Sequence, residues 1–173
     1  FLALVVSLTA CATTPASTFD TASPATLRLS PGHASPPGIG SQASPLAIPI
    51  DAATLAGLPR EAVIATAHGK TLHCQGASLA TLLRAAGALP AGPLRDARLA
   101  NYVLVGARDG YRAVFSLAEL ETTHGNHKAV LVDRCDGKPL DDQDGPLRLI
   151  APEESRPARW VRQVQSITAV TAP

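Results

Sequence analysis

The chain has 173 residues and a mass of 17.8 kDa, which allows one domain with appendages but hardly two complete domains. Hydrophobic residues make up 46% of the chain, charged residues make up 17%, and the formal net charge is +1. The hydrophobic fraction is large enough for a packed core, so disorder over the whole length is excluded. The near-neutral charge excludes a polybasic membrane-surface protein and argues against nucleic acid as the partner.

The N-terminal segment is similar to the lipid-attachment signal of bacterial lipoproteins. Residues 1–10 are an unbroken run of apolar and small residues, too short to span a bilayer but typical of the core of a signal peptide. The run ends in Leu8-Thr9-Ala10-Cys11, which resembles a lipobox, where the cysteine is lipidated and becomes the new N-terminus. We therefore predict a signal-peptide remnant over 1–10 and lipidation at Cys11. The alternative is an apolar strand or helix that contains an incidental cysteine.

Residues 11–45 are predicted to form a flexible tether that carries the lipidated cysteine. Residues 12–45 contain only two charges, Asp20 and Arg28, and six prolines among Ser, Thr, Ala and Gly. No hydrophobic periodicity is present that a fold could bury. Such a leash after a lipobox predicts a domain held on the periplasmic side of a Gram-negative envelope. An aspartate directly after the lipidated cysteine would be a signal for retention in the inner membrane. Ala12 occupies that position, so we expect the protein to be sorted to the outer membrane.

Residues 46–173 are predicted to form one α+β domain. Apolar or alternating segments predict strands at 46–50, 61–66, 71–74, 101–106, 112–115, 129–132, 147–150 and 161–170. Predicted helical segments are a turn after Asp51, a helix from Ser78 to Gly87, and a short helix after Ser116 with a Ser116-x-x-Glu119 capping box. Short strands with few helices and no regular βαβ alternation predict a mixed, mostly antiparallel sheet.

Four segments in this order resemble a single protein family. They are the Gly76–Gly87 segment with its repeated leucines, Asp109-Gly110-Tyr111 before Leu117-x-Glu119-Leu120, Asp136–Leu140 with Gly145–Pro152, and Arg159–Arg162. Over about residues 46–170 the chain is similar to the sulfite-oxidase-like, molybdopterin-binding oxidoreductase domain in its small stand-alone bacterial form. The resemblance implies an α+β fold of the sulfite-oxidase type.

The resemblance also raises the question of a molybdenum cofactor. In the family, the dithiolene of molybdopterin and one protein cysteine hold the metal, because a thiolate suits a soft, high-valent metal. Cys74-Gln75-Gly76 superficially matches the Cys-x-Gly motif, but Gly76 already opens the helix segment, so the loop that carries the ligand cysteine is missing. Glu153 and Glu154 stand where relatives have a Gly- and Lys-containing loop, and carboxylates there would repel the pterin phosphate. We expect no cofactor, with molybdopterin (Moco) bound through Cys74 as the alternative.

The predicted function follows from these departures. We expect a non-catalytic module that uses the old cofactor cleft for a small anion or an envelope protein partner, with Arg112, Arg148 and Arg159 lining it. Arg148 lies among Leu147, Leu149 and Ile150, so it forms either a structural ion pair or an anion contact. The alternative is an active molybdenum oxidoreductase in which Cys74 is the metal ligand and an envelope carrier exchanges the electrons.

Four further patterns leave alternatives open. Once Cys11 is lipidated, Cys74 and Cys135 either form a disulfide or are two small buried hydrophobic residues. His124 and His127 have a zinc-like spacing without a third ligand, which favours an exposed loop. The acidic 141–145 segment is expected to be a solvated hairpin tip, not a calcium loop. Arg156, Arg159 and Arg162 recur every third residue near Trp160. In a helical turn they would share a face and form a patch for an anion or a partner; otherwise the face is solvated and Trp160 packs into the core.

Overall fold

Antiparallel sheets and short helices make up residues 44–172, the part of the chain that the computed structural model describes. The α+β class is therefore confirmed. No helix among these residues is long and apolar enough to cross a membrane. The signal remnant, the lipidated Cys11 and nearly all of the tether lie outside the described residues and stay predictions.

The first sheet has four strands in the order β1-β9-β4-β5. The strands are β1 (Leu46–Ala47), β4 (Tyr102–Ala107), β5 (Arg112–Ser116) and β9 (Val164–Val170). The prediction of an edge strand near residue 46 is confirmed, although only two residues pair with β9 before Ile48 donates to the Ile167 carbonyl. Pro49 has no N–H to donate, so the ladder ends there.

The second sheet is built on a long hairpin. It consists of β2 (Arg60–Ala67), β3 (Lys70–Ser78), β6 (Val130–Cys135), β7 (Lys138–Pro139) and β8 (Arg148–Ile150). The predicted hairpin is confirmed, and its turn residues His68 and Gly69 both have positive φ, 51° and 75°, which suits a two-residue hairpin turn. β3 pairs with one edge of β6, whereas β7 and β8 share the other edge.

Our prediction of a single sheet is corrected by this arrangement. Every strand pairing in the described range is antiparallel, and no ladder joins the β4–β9 pair to the β3–β6 pair. The physical reason is coverage of apolar surface: one sheet needs a layer of helices over its apolar face, and the helices here are too short and few to supply it. Both sheets instead contribute side chains to one core, among them Val103, Phe115, Val130 and Leu149.

Three short helices fill the margins of this core where the sequence predicted them. α1 (Ala52–Ala56) is capped by Asp51, which accepts a hydrogen bond from the Thr54 N–H at 3.0 Å. α2 (Leu79–Ala85) buries Leu79, Leu82 and Leu83 completely. α3 (Leu117–Leu120) has both hydrogen bonds of the predicted capping box. Two 3₁₀ turns, at 96–100 and 157–159, were not predicted.

Gly76 lies in a strand, whereas the motif comparison had placed it at the start of a helix. The register between β3 and β6 shifts between Gln75 and Gly76, which marks a bulge. A Cβ atom at Gly76 would lie only 2.0 Å from the Leu131 carbonyl oxygen. Gly76 is therefore required by the close approach of two strands, and α2 begins three residues later.

Candidate functional site

A cavity of about 610 Å³ opens where the ends of the two sheets meet. Its walls come from the tip of the β2–β3 hairpin, the turn between β4 and β5, the loop between β7 and β8, and the segment before β9. The lining residues are Ala67, His68, Lys70, Leu72, Ala107, Asp109, Tyr111, Asp141, Gln143, Asp144, Arg148, Pro157, Ala158, Trp160 and Arg162.

Of Arg112, Arg148 and Arg159, which were predicted to line one cleft, only Arg148 lines this cavity. Its Nη1 donates to Asp144 Oδ2 at 2.6 Å, and its guanidinium carbon lies 5.8 Å from the centre of the Trp160 ring. The side chain is 12% exposed, and its buried Nε has no hydrogen-bond partner within residues 44–172. The sequence left an ion pair and an anion contact as alternatives. The structure shows the ion pair and leaves one donor of the guanidinium unused.

Two other cationic side chains at the cavity have few partners within the protein. Lys70 is exposed and takes part in none of the ion pairs formed among residues 44–172. Arg162 Nε lies 3.9 Å from Asp144 Oδ1, and its side chain is 61% exposed. Lys70 was missed by the sequence reasoning, because only the hairpin turn brings it beside the loop between β7 and β8.

The carboxylates of the cavity, in contrast, are already engaged by the protein. Asp141 Oδ1 accepts the N–H groups of Gln143 and Asp144 at 3.1 and 3.0 Å. Asp109 Oδ1 accepts the Tyr111 N–H at 2.9 Å, and Asp144 binds Arg148. The formal charges balance, and each of these carboxylates accepts at least one hydrogen bond, whereas Lys70 has no ion-pair partner within residues 44–172.

Arg159 lies in a different environment. Its Nη1 donates to Glu119 Oε1 at 2.9 Å and to the Val114 carbonyl at 3.1 Å, and its Nη2 lies 2.6 Å from Glu154 Oε1. Its guanidinium also covers the Phe115 ring at 4.4 Å. Burial opposes the charged form, but the hydrogen bond that Arg159 donates to Glu119 and the charges of Glu119 and Glu154 raise the pKa of Arg159 above its ordinary value. The guanidinium of Arg159 is therefore occupied by contacts within the protein.

The three predicted arginines are therefore not brought together. Arg112 is exposed at the start of β5, and neither Arg112 nor Arg159 lines the cavity beside Arg148. The Arg156, Arg159 and Arg162 series is also split, because Arg159 is clamped by carboxylates while Arg156 and Arg162 are exposed.

Cys74 is bonded to Cys135, which decides between the two alternatives for these cysteines. The residues face each other directly across β3 and β6, with Cα atoms 4.0 Å apart, and Cys74 is 1% exposed. Side chains at opposed positions of an antiparallel pair point to the same face, which is what the bond requires. In this state Cys74 has no thiolate to offer and does not line the cavity, so it does not fit the metal ligand that the resemblance implies.

The predicted histidine pair belongs to a loop built around a buried carboxylate. Glu121 is 2% exposed and accepts hydrogen bonds from Thr122, from the Thr123 N–H at 3.1 Å, and from the Thr123 hydroxyl. His124 Nδ1 lies 2.7 Å from Glu121 Oε2. No group of three or more His, Cys, Asp or Glu in the described range could hold a metal ion. His124 therefore stabilises this loop through its contact with Glu121.

Comparisons with known proteins do not assign the cavity. No protein-family model matches this chain, and no curated protein matches it at a significant level.

Proposed function

We propose that this chain is a cofactor-free binding module that holds a small anionic ligand in the cavity beside Arg148. We further propose that it is a divergent member of the sulfite-oxidase-like family, tethered by a lipid at Cys11 to the periplasmic face of the outer membrane. The observation that carries the ligand proposal is the imbalance of hydrogen bonding in the cavity. Lys70 and Arg162 are almost unpaired, whereas the carboxylates already have donors.

The cavity is also prepared for an anion before the anion arrives. Asp144 holds the guanidinium of Arg148 in one orientation, and the Trp160 ring lies beneath it. A donor that is already fixed loses less conformational entropy on binding than a free side chain does. Charge-assisted hydrogen bonds to carboxylate or phosphate oxygens are about twice as strong as neutral ones.

The cysteines support the cofactor-free part of the proposal and the envelope location. The disulfide uses the only sulfur that the motif comparison offered to a metal. Disulfides persist in oxidising compartments such as the bacterial periplasm, which agrees with the signal and lipobox pattern at the N-terminus. The alternative prediction, a molybdenum oxidoreductase with Cys74 as ligand, requires that this bond be broken first.

Anion binding is tested by titrating the full chain with sodium phosphate and with sodium sulfate in a calorimeter. We expect saturable binding that weakens as sodium chloride is raised, because the contacts are with charged groups. Arg162→Gln is expected to weaken binding about tenfold, the size of one charge-assisted hydrogen bond. Arg112→Gln, which removes an exposed arginine outside the cavity, is the matched control. Equal binding by both variants, or no saturable heat, would refute the proposed site.

Metal analysis tests the cofactor-free part separately. The protein is expressed with its signal in a molybdenum-replete host, beside a Cys74→Ser variant. We expect no molybdenum in either sample. Near-stoichiometric molybdenum that disappears in the variant would show a redox enzyme with Cys74 as ligand.

A further inference from the structure

The cavity is much larger than an inorganic anion needs. Its volume of about 610 Å³ lies within the range of pockets that hold whole organic molecules, roughly 300–1,000 Å³. A phosphate or sulfate beside Lys70 and Arg162 would leave most of this space to water. The residues that line the rest of the cavity should therefore indicate which other chemical groups the ligand has.

Charged and apolar residues are separated by depth in the cavity. On the inner face of β3, Lys70 is exposed, Leu72 is half-buried and Cys74 is buried, so the strand passes from charge to apolar surface. On the opposite side Arg162 is exposed, whereas Trp160 is buried. The rim thus carries charged side chains, the cations Lys70 and Arg162 together with the carboxylates Asp109 and Asp141, and the floor carries apolar side chains.

Tyr111, from the turn between β4 and β5, adds an aromatic surface to the cavity. Its side chain is 48% exposed, which makes it one of the few large apolar groups left open to solvent in residues 44–172. Its hydroxyl donates to the Ala158 carbonyl, and its backbone N–H donates to Asp109 at 2.9 Å. The ring is therefore held in place at both ends and can stack on a planar ligand without first being ordered.

From this arrangement we infer that the ligand is an amphipathic organic acid. Its anionic head binds Lys70 and Arg162 at the rim, and its apolar body lies along Leu72 and the Tyr111 ring. An ammonium group next to the anionic head is disfavoured because Lys70 and Arg162 would repel it. The inference rests on the proposed function, since it assigns the class of ligand to the same cavity.

A set of matched probes separates the two halves of such a ligand. Propionate carries the head alone, 3-phenylpropanol carries the body alone, and 3-phenylpropionate carries both. We expect the full chain to bind 3-phenylpropionate at least about tenfold more tightly than either half, since burial of a ring and a charge-assisted contact each contribute about that factor. L-phenylalanine, which adds an ammonium group to the same body, is expected to bind more weakly than 3-phenylpropionate.

Variants assign each half to its residues. Lys70→Gln is expected to weaken 3-phenylpropionate about tenfold and to leave 3-phenylpropanol unchanged, because only the head meets the lysine. Tyr111→Leu is expected to weaken 3-phenylpropionate several-fold and to leave propionate unchanged. Tyr111→Phe keeps the ring but loses the bond to the Ala158 carbonyl, and it is expected to weaken 3-phenylpropionate less than Tyr111→Leu does. Unchanged propionate binding in both variants controls for a folding defect. Arg112→Gln is expected to change nothing.

The outcomes distinguish a failure of this inference from a failure of the proposed function on which it rests. If phosphate binds saturably but 3-phenylpropionate binds no more tightly than propionate, the ligand class is wrong and the anion site stands. If L-phenylalanine binds more tightly than 3-phenylpropionate, the cavity takes a zwitterion and the inference is overturned. If neither phosphate nor any organic acid binds, the proposed function itself fails.

Discussion

Glu121 is a carboxylate whose charge is held by its immediate neighbours in the loop after α3. The side chain is almost fully buried, and the loop surrounds it with donors. The hydroxyl of Thr123 contributes most, and with His124, the Thr123 N–H and Thr122 it outweighs desolvation and lowers the pKa of Glu121 to about 2. In the unfolded chain a glutamate titrates near 4.3, so the folded state binds this proton less readily than the unfolded state does.

This difference predicts how stability depends on pH. A lowered pKa contributes stability above the unfolded value, and that contribution is lost as the pH falls from about 5 towards 2. Glu121→Gln should therefore unfold at a lower temperature at pH 7 and show a flatter decline between pH 5 and pH 2. Thermal unfolding followed by circular dichroism measures both. Glu61→Gln, at a partly exposed glutamate, is the control and should keep the wild-type slope; an equally steep decline in Glu121→Gln would contradict the assignment.

The arginines show where prediction from single residues stops. The motif comparison grouped Arg112, Arg148 and Arg159 because their segments resemble one family. Arg148 pairs with Asp144, which is only four residues away, whereas Arg159 is held by Glu154 and by Glu119, the latter 40 residues away in sequence. The contact with Glu119 depends on long-range packing, so the local pattern around Arg159 does not indicate it.

At the level of elements, the Cys74–Cys135 bond fixes the pairing of β3 with β6 next to the Gly76 bulge. It closes a loop with a sequence separation of 61 residues. In the chain-entropy description, closing a loop of that length stabilises the fold by about 4 kcal/mol.

Removal of the bond should therefore cost much of the stability of the domain. The double variant Cys74→Ser, Cys135→Ser is expected to lose about 2–5 kcal/mol of unfolding free energy, measured by urea denaturation. Reducing agent should lower the urea midpoint of the wild type and leave that of the double variant unchanged. A wild-type midpoint that is insensitive to reduction would mean that the disulfide does not support this fold.

The same strands show how far local pattern predicts the elements. The hairpin turn at His68-Gly69, the Ser116 capping box and the leucines of α2 are local signals, and each was predicted correctly. The extension of β3 to Ser78 and the two-residue β7 depend on partners across the sheet, so periodicity alone did not indicate them. The division into two sheets depends likewise on long-range pairing, which spacing along the chain does not encode.

At the scale of the whole molecule, the proposed envelope anchor is tested through Cys11, which lies outside the described residues. Wild-type protein expressed from its signal in a Gram-negative host should enter the outer-membrane fraction and incorporate an alkyne-labelled fatty acid. Cys11→Ser should lose the label and the membrane association, because a lipoprotein signal needs the thiol for acylation. Cys135→Ser, which removes a cysteine of the folded domain, is the control and should keep the label. Label retained in Cys11→Ser would exclude this anchor.

The branched edge of β6 has a consequence for how such a protein can diversify. The chain leaves this edge after Pro139 and rejoins it at Arg148, and the intervening loop brings Asp141, Gln143 and Asp144 to the cavity wall. The ends of this loop belong to the scaffold, because Leu140 and Leu147 pack against the core and the Asp144 and Leu147 carbonyls accept the N–H groups of Gln163 and Val164. Residues 141–143 are exposed between these fixed points. Selection on ligand preference can therefore act on this short stretch while both ladders to β6 keep their registers.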